Sequence, residues 1–256
     1  MDQMQNFSMG GWLVFLSYAT SVVGCALGLA CTLQARHAAS EAARLRWLGL
    51  ASISIGGVGI WLMHFIAMLG FTTPGMPVRY DVTQTVLSAI LAIVAVFCGL
   101  LIFGVRTRFA WWRLLLGGLV TGLAVNLMHY TGMAAVRVQG SIDYNPGLVL
   151  LSVLIAVVAA SAAFWFTVAF DRSLYRLLAG FVMAIAVVGM HYTGMAAVST
   201  HLSMSAPIPS GVDVYSFLLP VFVLAGLATA LIICAVLTAP PLTVARPSRV
   251  EAQPLS

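Results

Sequence analysis

Seven apolar runs, each about 20 residues long, constrain the fold of this chain more than any other feature. Short polar segments separate the runs, which cover residues 11–34, 46–70, 84–105, 113–136, 147–170, 175–198 and 216–238. Charged residues make up only 7% of the 256 residues, whereas soluble domains carry about 25%. Because a bilayer offers the backbone no hydrogen-bond partners, each run is predicted to be a helix. The predicted fold class is all-α, a polytopic membrane protein with seven transmembrane helices.

The arginines predict the orientation of these helices. All twelve basic residues are arginine, and ten of them lie in the first, third and fifth loops or in the C-terminal tail. Only Arg79 and Arg137 lie on the opposite side. Cytoplasmic loops carry the excess of basic residues, so the N-terminus is predicted outside and the C-terminus in the cytoplasm. This distribution places the arginines beside lipid headgroups and explains a pI near 9.3 without a nucleic-acid partner.

One motif, with a histidine between two methionines, recurs near the ends of spans two, four and six. It reads WLMHFIAM around His64, NLMHYTGM around His129 and VGMHYTGM around His191. The histidines are 65 and 62 residues apart. Since the three spans run in the same direction, all three histidines are predicted at one depth in the outer leaflet. The sequence therefore predicts a parallel two-helix repeat present three times, plus one extra helix, which is span one.

The residue types in the motif favour a metal site. Residues four apart share one face of a helix, which gives the first ligand candidates: His64, His129, His191, Met68, Met133 and Met195. The methionines directly before the histidines are further candidates: Met63, Met128 and Met190. Imidazole and thioether groups suit copper, especially Cu(I). Zinc usually adds thiolate or carboxylate ligands, and haem needs a larger pocket, so both fit less well.

A second interpretation of the motif needs no metal. Histidines inside a membrane protein also hydrogen-bond between helices, and methionines also fill space in a core. Asn126, one turn before His129, is a candidate hydrogen-bond partner for that imidazole, and Tyr130 is either a partner or an interfacial aromatic residue. All predicted spans lack carboxylates, which removes the usual acid or base of an enzyme and predicts a protein without catalytic activity.

The motif Met-His-Tyr-Thr-Gly-Met at residues 128–133 and 190–195, with its variant at 63–68, resembles the MHYT domain family. The resemblance covers all seven spans and implies a sensory domain of the bacterial inner membrane. It also implies that the motif binds copper and through it senses oxygen, carbon monoxide or nitric oxide.

Family members often continue into a cytoplasmic output domain after the last helix. Here the membrane domain is predicted over residues 1–238, and a short Pro-rich disordered cytoplasmic tail over residues 239–256. This predicts signalling through a separate cytoplasmic protein. The alternative is a copper carrier, storage or delivery protein without a signalling output.

Overall fold

The computed structural model describes residues 11–73, 75–104, 109–169 and 173–239, which form seven helices long and apolar enough to cross a membrane. In chain order the elements are α1 Trp12–His37, α2 Glu41–Ser52, a π-helical segment Ile53–Leu62, α3 Met63–Met68, α4 Val82–Phe103, α5 Trp111–Ala134, α6 Pro146–Ala169, α7 Ser173–Ala196 and α8 Val214–Leu237. The α2 helix, the π-helical segment and α3 are continuous and together are called span two. Each predicted run overlaps one of these seven helices, so the all-α polytopic fold is confirmed.

Two expectations from the sequence lie wholly or partly outside the described residues. The tail predicted over residues 239–256 is described only at its first residue. Five of the ten arginines that predict the orientation are also outside: Arg106, Arg108, Arg172, Arg246 and Arg249. The orientation of the termini, and the boundary between membrane domain and tail, therefore stay predictions.

Six of the seven spans form a closed ring. The α4 helix packs between span two and α5, α6 packs between α5 and α7, and α1 packs between α7 and span two. Spans that carry histidines thus alternate with three companion helices, α4, α6 and α1. The α8 helix lies outside the ring, against the π-helical segment and α1. Span one, which is α1, is the helix left over from the sequence repeat. In the structure it packs beside α7 and is the companion of the third histidine-bearing span, whereas α8 lies at the periphery.

Buried serines on the companion helices hold the ring together. Ser88 of α4 accepts a hydrogen bond from Trp61 Nε1 at 3.0 Å. Ser152 of α6 accepts one from Asn126 Nδ2 at 3.0 Å and lies 3.1 Å from the hydroxyl of Tyr130. Because the Ser152 hydroxyl donates to a carbonyl three residues earlier in its own helix, the tyrosine is the donor in the second contact.

The third companion helix repeats this arrangement. Ser17 of α1 is fully buried, donates to the carbonyl of Val14, and pairs with the side chain of Tyr192 on α7. A buried serine therefore makes a polar contact at all three junctions between a histidine-bearing span and its companion. In a membrane interior such bonds link helices that have no hydrophobic driving force to associate.

The three loops that follow the histidine motifs join one another into a cap. They contain four short strands: β1 Arg79–Tyr80, β2 Val136–Arg137, β3 Gly140–Tyr144 and β4 Val198–Leu202. Antiparallel pairing joins β1 to β2 and β3 to β4. Tyr80 also exchanges two backbone hydrogen bonds with Val212, at 2.9 and 3.0 Å. Each loop is thus bonded to both of the others, and the cap is closed.

Asp81 connects the cap to the bundle. Its Oδ1 accepts the backbone N–H of Gln84 at 3.1 Å and caps the start of α4, while Arg137 Nη2 donates to Oδ2 at 3.0 Å. The hydrogen bond from Gln84, followed by the one from Arg137, holds the pKa of the Asp81 carboxyl below its usual value. The carboxylate therefore ties the first loop to the second in its ionised form.

Replacing Ser152 should lower stability because it removes the acceptor of a buried donor, Asn126, and of a half-buried donor, Tyr130. We expect Ser152→Ala to reduce the free energy of unfolding by about 1–3 kcal/mol, the cost of unpaired buried polar groups. Equilibrium unfolding in mixed micelles measures this. Ser161→Ala is the matched control on the same helix, since the described hydrogen bond of Ser161 stays within α6. Equal losses in the two variants would contradict a linking role for Ser152.

Asp81 should make the stability of the cap depend on pH. A lowered pKa stabilises the folded state above the ordinary aspartate pKa, and this contribution disappears as the pH falls through the folded-state value. We expect wild type to melt at a higher temperature than Asp81→Asn near pH 6, and the difference to shrink as the pH is lowered below about 4, the ordinary aspartate pKa. The difference should also shrink in the Arg137→Gln background. A difference that is independent of pH would exclude the carboxylate as its cause.

Candidate metal centre

His64, His129 and His191 meet at the axis of the ring. The first two have no solvent-exposed surface, and the third is 1% exposed. The Nδ1 atom of His64 lies 2.9 Å from Nδ1 of His191 and 3.2 Å from Nδ1 of His129. One ring nitrogen of each histidine lies within 4.8 Å of the other two. The structure therefore brings together three histidines that are separated by more than sixty residues in the sequence.

The repeated helices explain why these three rings converge. Each histidine lies near the cap end of its span, so equal helix directions place all three at one level. The rings meet edge to face, with centroids 4.9–5.2 Å apart and interplanar angles of 79–88°. Each ring is related to the next in a similar way, as expected for a threefold repeat. This set of three residues is called the histidine layer.

The nitrogen atoms in the layer cannot all satisfy one another. A neutral imidazole has one N–H and one lone pair, each in the ring plane. The Nδ1 atom of His64 therefore donates or accepts once, although it faces two other Nδ1 atoms. One cation at the centre would instead accept a lone pair from each ring. Three nitrogens bound tetrahedrally at about 2.0–2.1 Å lie about 3.3 Å apart, close to the distances between these histidines.

The outward-facing nitrogens are unusual for metal ligands. Nε2 of His64 and Nε2 of His129 are buried and have no hydrogen-bond partner among the described residues. A ligating histidine normally donates its second N–H to an acceptor, which makes the ring a stronger ligand. The rings of His64 and His129 have no such acceptor at Nε2. A buried N–H without a partner costs about 1–3 kcal/mol. The donor set fits a soft ion better than one that needs strongly basic ligands.

Two apolar clusters enclose the histidine layer. The methionines four residues after the histidines are buried together in the cluster on the cap side: Met68, Met133 and Met195. Phe65 and Tyr80 close that cluster against the cap. Of the methionines directly before the histidines, Met128 and Met190 are buried in the cluster on the other side, and Met63 is buried as well. All six candidates thus border the layer, while their role as ligands stays a prediction.

Two other candidate partners of the histidines bond elsewhere. The described hydrogen bonds of Asn126 and Tyr130 go to Ser152, not to His129. The candidate hydrogen bond between Asn126 and His129 is therefore not formed in this structure. The sequence analysis missed the serines, although Ser88 and Ser152 are 64 residues apart and so follow the repeat. Ser17 gives no such signal because it lies before the first repeat.

The sequence matches one known family. A profile of the MHYT family, described as the bacterial signalling protein N-terminal repeat, matches residues 57–117 and 122–180. The first matched segment contains His64 and the second contains His129. No solved structure matches the chain.

Curated relatives match most of this chain. It is 40% identical over 197 residues to the bifunctional diguanylate cyclase/cyclic di-GMP phosphodiesterase MucR of Pseudomonas aeruginosa, covering 74% of this chain and 28% of the relative. It is 34% identical over 212 residues to the cyclic di-GMP phosphodiesterase NbdA of the same organism, covering 80% and 26%. Identity to the signaling protein YkoW of Bacillus subtilis is also 34%, over 227 residues, covering 82% and 28%.

The matches therefore span about a quarter of the length of each relative. With the matched repeats and these relatives, this chain belongs to the MHYT family of bacterial signalling proteins.

Proposed function

We propose that this chain is a membrane sensory domain that holds one copper ion through Nδ1 of His64, His129 and His191. The observation that carries the proposal is the convergence of three Nδ1 atoms in a buried layer, with contacts of 2.9 and 3.2 Å. An ionisable side chain inside a membrane protein is a candidate functional group, and three at one point form a ligand set. Met68, Met133 and Met195 are the proposed additional ligands on the cap side.

The charge of the site supports Cu(I). Among the described residues the cluster contains histidines only, without carboxylate or thiolate. The neutral ligands leave the whole charge of a bound ion uncompensated. The cost of burying an ion grows with the square of its charge, so a divalent ion costs about four times as much as a monovalent one. A soft monovalent ion therefore suits this apolar enclosure better than Zn²⁺ or Cu²⁺.

The enclosure supports a resident ion over a cargo. A carrier or delivery protein must present its metal to a partner, whereas the histidine layer lies between two apolar clusters and beneath a closed cap. Release would require the cap or the bundle to open. A sensor needs only that a small neutral molecule reaches the ion. A copper ion held by the three histidines would leave one coordination position, where oxygen, carbon monoxide or nitric oxide would bind in place of a methionine thioether.

An apolar cavity supports access by such a molecule. It has a volume of about 50 Å³ and lies among span two, α4, α5, α6 and α7, with Val125, Phe164 and Met190 in its wall. Met190 directly precedes His191, so the cavity approaches the histidine layer to within one residue, from the side opposite the cap. A cavity of this size and polarity suits a small neutral molecule better than a charged one.

The proposed output is signalling, by analogy with the relatives. Two of them are named as cyclic di-GMP enzymes and one as a signaling protein, and each is much longer than the region matched here. We propose that this chain senses and that a cytoplasmic signalling protein responds, so the chain itself catalyses no reaction.

Metal analysis tests the site directly. Purified protein reconstituted with Cu(I) under reducing conditions should retain about one copper per chain. The triple variant His64→Ala, His129→Ala, His191→Ala should retain none. His201→Ala is the matched control, since His201 lies on the cap, 3.4 Å from Asp143 and largely exposed. Equal copper contents in wild type and the triple variant, even after reconstitution, would reject the proposal.

The charge argument makes a separate prediction about metal preference. In competition with a chelator of known affinity, Cu(I) should bind at least tenfold more tightly than Zn²⁺. The three neutral ligands compensate neither charge, and burying the uncompensated divalent ion costs more. The comparison uses wild type only, which removes differences in folding. Zinc affinity equal to that of Cu(I) would show that the uncompensated charge does not decide the metal.

A further inference from the structure

We propose that Gly132 and Gly194 are positioning residues that decide which nitrogen of His64 and His129 faces the shared centre. We further infer that Ala67, at the third such position, makes His191 different from the other two. The inference rests on the proposed metal-binding function and adds the identity of the ligand atom and the inequivalence of the ligands. In both cases the glycine of one motif contacts the histidine of the preceding motif.

The imidazole of His64 fills the space where Gly132 would carry a side chain. A Cβ atom on Gly132 would lie 2.6 Å from Nε2, 3.1 Å from Cδ2 and 3.5 Å from Cε1 of His64. A Cβ atom on Gly194 would lie 2.4, 2.9 and 3.2 Å from the same three atoms of His129. The three nearest atoms belong to one ring in each case. Each glycine is therefore matched to the ring edge that carries Nε2.

The opposite edge of each ring is also confined. Nδ1 of His64 already lies 2.9 Å from Nδ1 of His191 and 3.2 Å from Nδ1 of His129. The His64 ring cannot move towards the centre without closer contact, and it cannot move outwards because Gly132 is there. This confinement assigns Nδ1 to the centre and Nε2 to the protein wall. It also explains why Nε2 of His64 and of His129 have no polar partner.

The position in the first motif that corresponds to Gly132 and Gly194 holds alanine, Ala67. His64 meets Gly132 and His129 meets Gly194, so the threefold pattern pairs His191 with Ala67, which is also three residues after a motif histidine. The α3 and α7 helices are in contact. Alanine brings a methyl group that the other two positions lack. Nε2 of His191 is not among the buried, unpaired atoms of the described residues, so its surroundings differ.

Two ligands are therefore locked by glycine contacts, and one is not. In the proposed metal site, His64 and His129 present Nδ1 in a fixed direction, whereas the packing at Ala67 sets the position of His191. His191 is the one ligand of the three without a glycine contact. Because Met190, directly before His191, lines the apolar cavity, His191 is the ligand expected to adjust when the coordination of the ion changes.

A double-variant experiment in metal-free protein tests the glycine contact. Gly132→Ala should lower the melting temperature, and this loss should disappear in the His64→Ala background, where the new methyl group occupies the vacated space. Gly122→Ala is the matched control on the same helix. A Cβ atom there would lie 2.5 Å from backbone Cα of Val157, so its cost should persist in the His64→Ala background.

If Gly132→Ala alone fails to fold, the expected result is that the double variant with His64→Ala folds again. Gly194→Ala with His129→Ala repeats the test at the second contact. Failure of His64→Ala to relieve Gly132→Ala would overturn the inference, whatever metal the protein binds. Relief of Gly122→Ala to the same extent would also overturn it, since the effect would then be general.

NMR of the full chain with ¹⁵N-labelled histidine and ¹¹³Cd²⁺ as the probe identifies the ligand atom. Cadmium coupling should appear on Nδ1 of the three motif histidines and be absent from His37 and His201. Gly132→Ala and Gly194→Ala should weaken Cd²⁺ binding by about 10–100-fold. Gly189→Ala is the control, since a Cβ atom there would meet nothing within 4 Å. Ala67→Gly should keep the affinity and shift the signals of His191 alone.

The outcomes separate this inference from the proposed function. Cadmium coupling on Nε2 of His64 or His129 would overturn the inference and leave the metal site intact. A wild type that takes up neither copper nor cadmium would end the proposed function. The metal-free double variants would then still decide whether the glycines position the histidines.

Discussion

Three imidazole nitrogens meet inside an apolar bundle, and the rest of the structure is arranged around that contact. Polar atoms in such an interior need partners because no water supplies them. Here Nδ1 of His64 faces two other Nδ1 atoms, and Nε2 of His64 and of His129 have no partner in the described structure. Apolar residues at these positions would avoid that cost. A layer of this kind points to a ligand that takes up the free lone pairs.

Holding three rings at one point requires close contact between the helices that carry them. Glycine supplies it where an imidazole fits against backbone, at Gly132 and Gly194. Serine supplies the polar link one helix further out, since Ser88 and Ser152 accept hydrogen bonds from the histidine-bearing spans. The cap closes the remaining side through its backbone hydrogen bonds. Small residues, buried acceptors and a closed cap thus serve one purpose, which is to fix and enclose the histidine layer.

The sequence predicted the parts of this structure that follow from helix geometry and bilayer thickness. Apolar run length revealed all seven spans, and motif spacing placed His64, His129 and His191 at one level. Three features of the structure could not be predicted from the sequence. The ring closes through α1, which lies before the first repeat and shares no spacing with it. The π-helical segment Ile53–Leu62 packs against α1 and α4, contacts that repeat spacing does not predict. The bonds of Asn126 depend on a neighbouring helix that repeat spacing alone does not orient.

Closure through α1 has a consequence for how the layer connects to the rest of the protein. Because α1 completes the ring, α8 remains outside it and packs on the π-helical segment and on α1. That segment ends at Leu62, two residues before His64. A π-helix is a rare form that is found frequently at functional sites. A shift of His64 therefore has a direct packed route through span two itself to α8, the last described helix before the C-terminus.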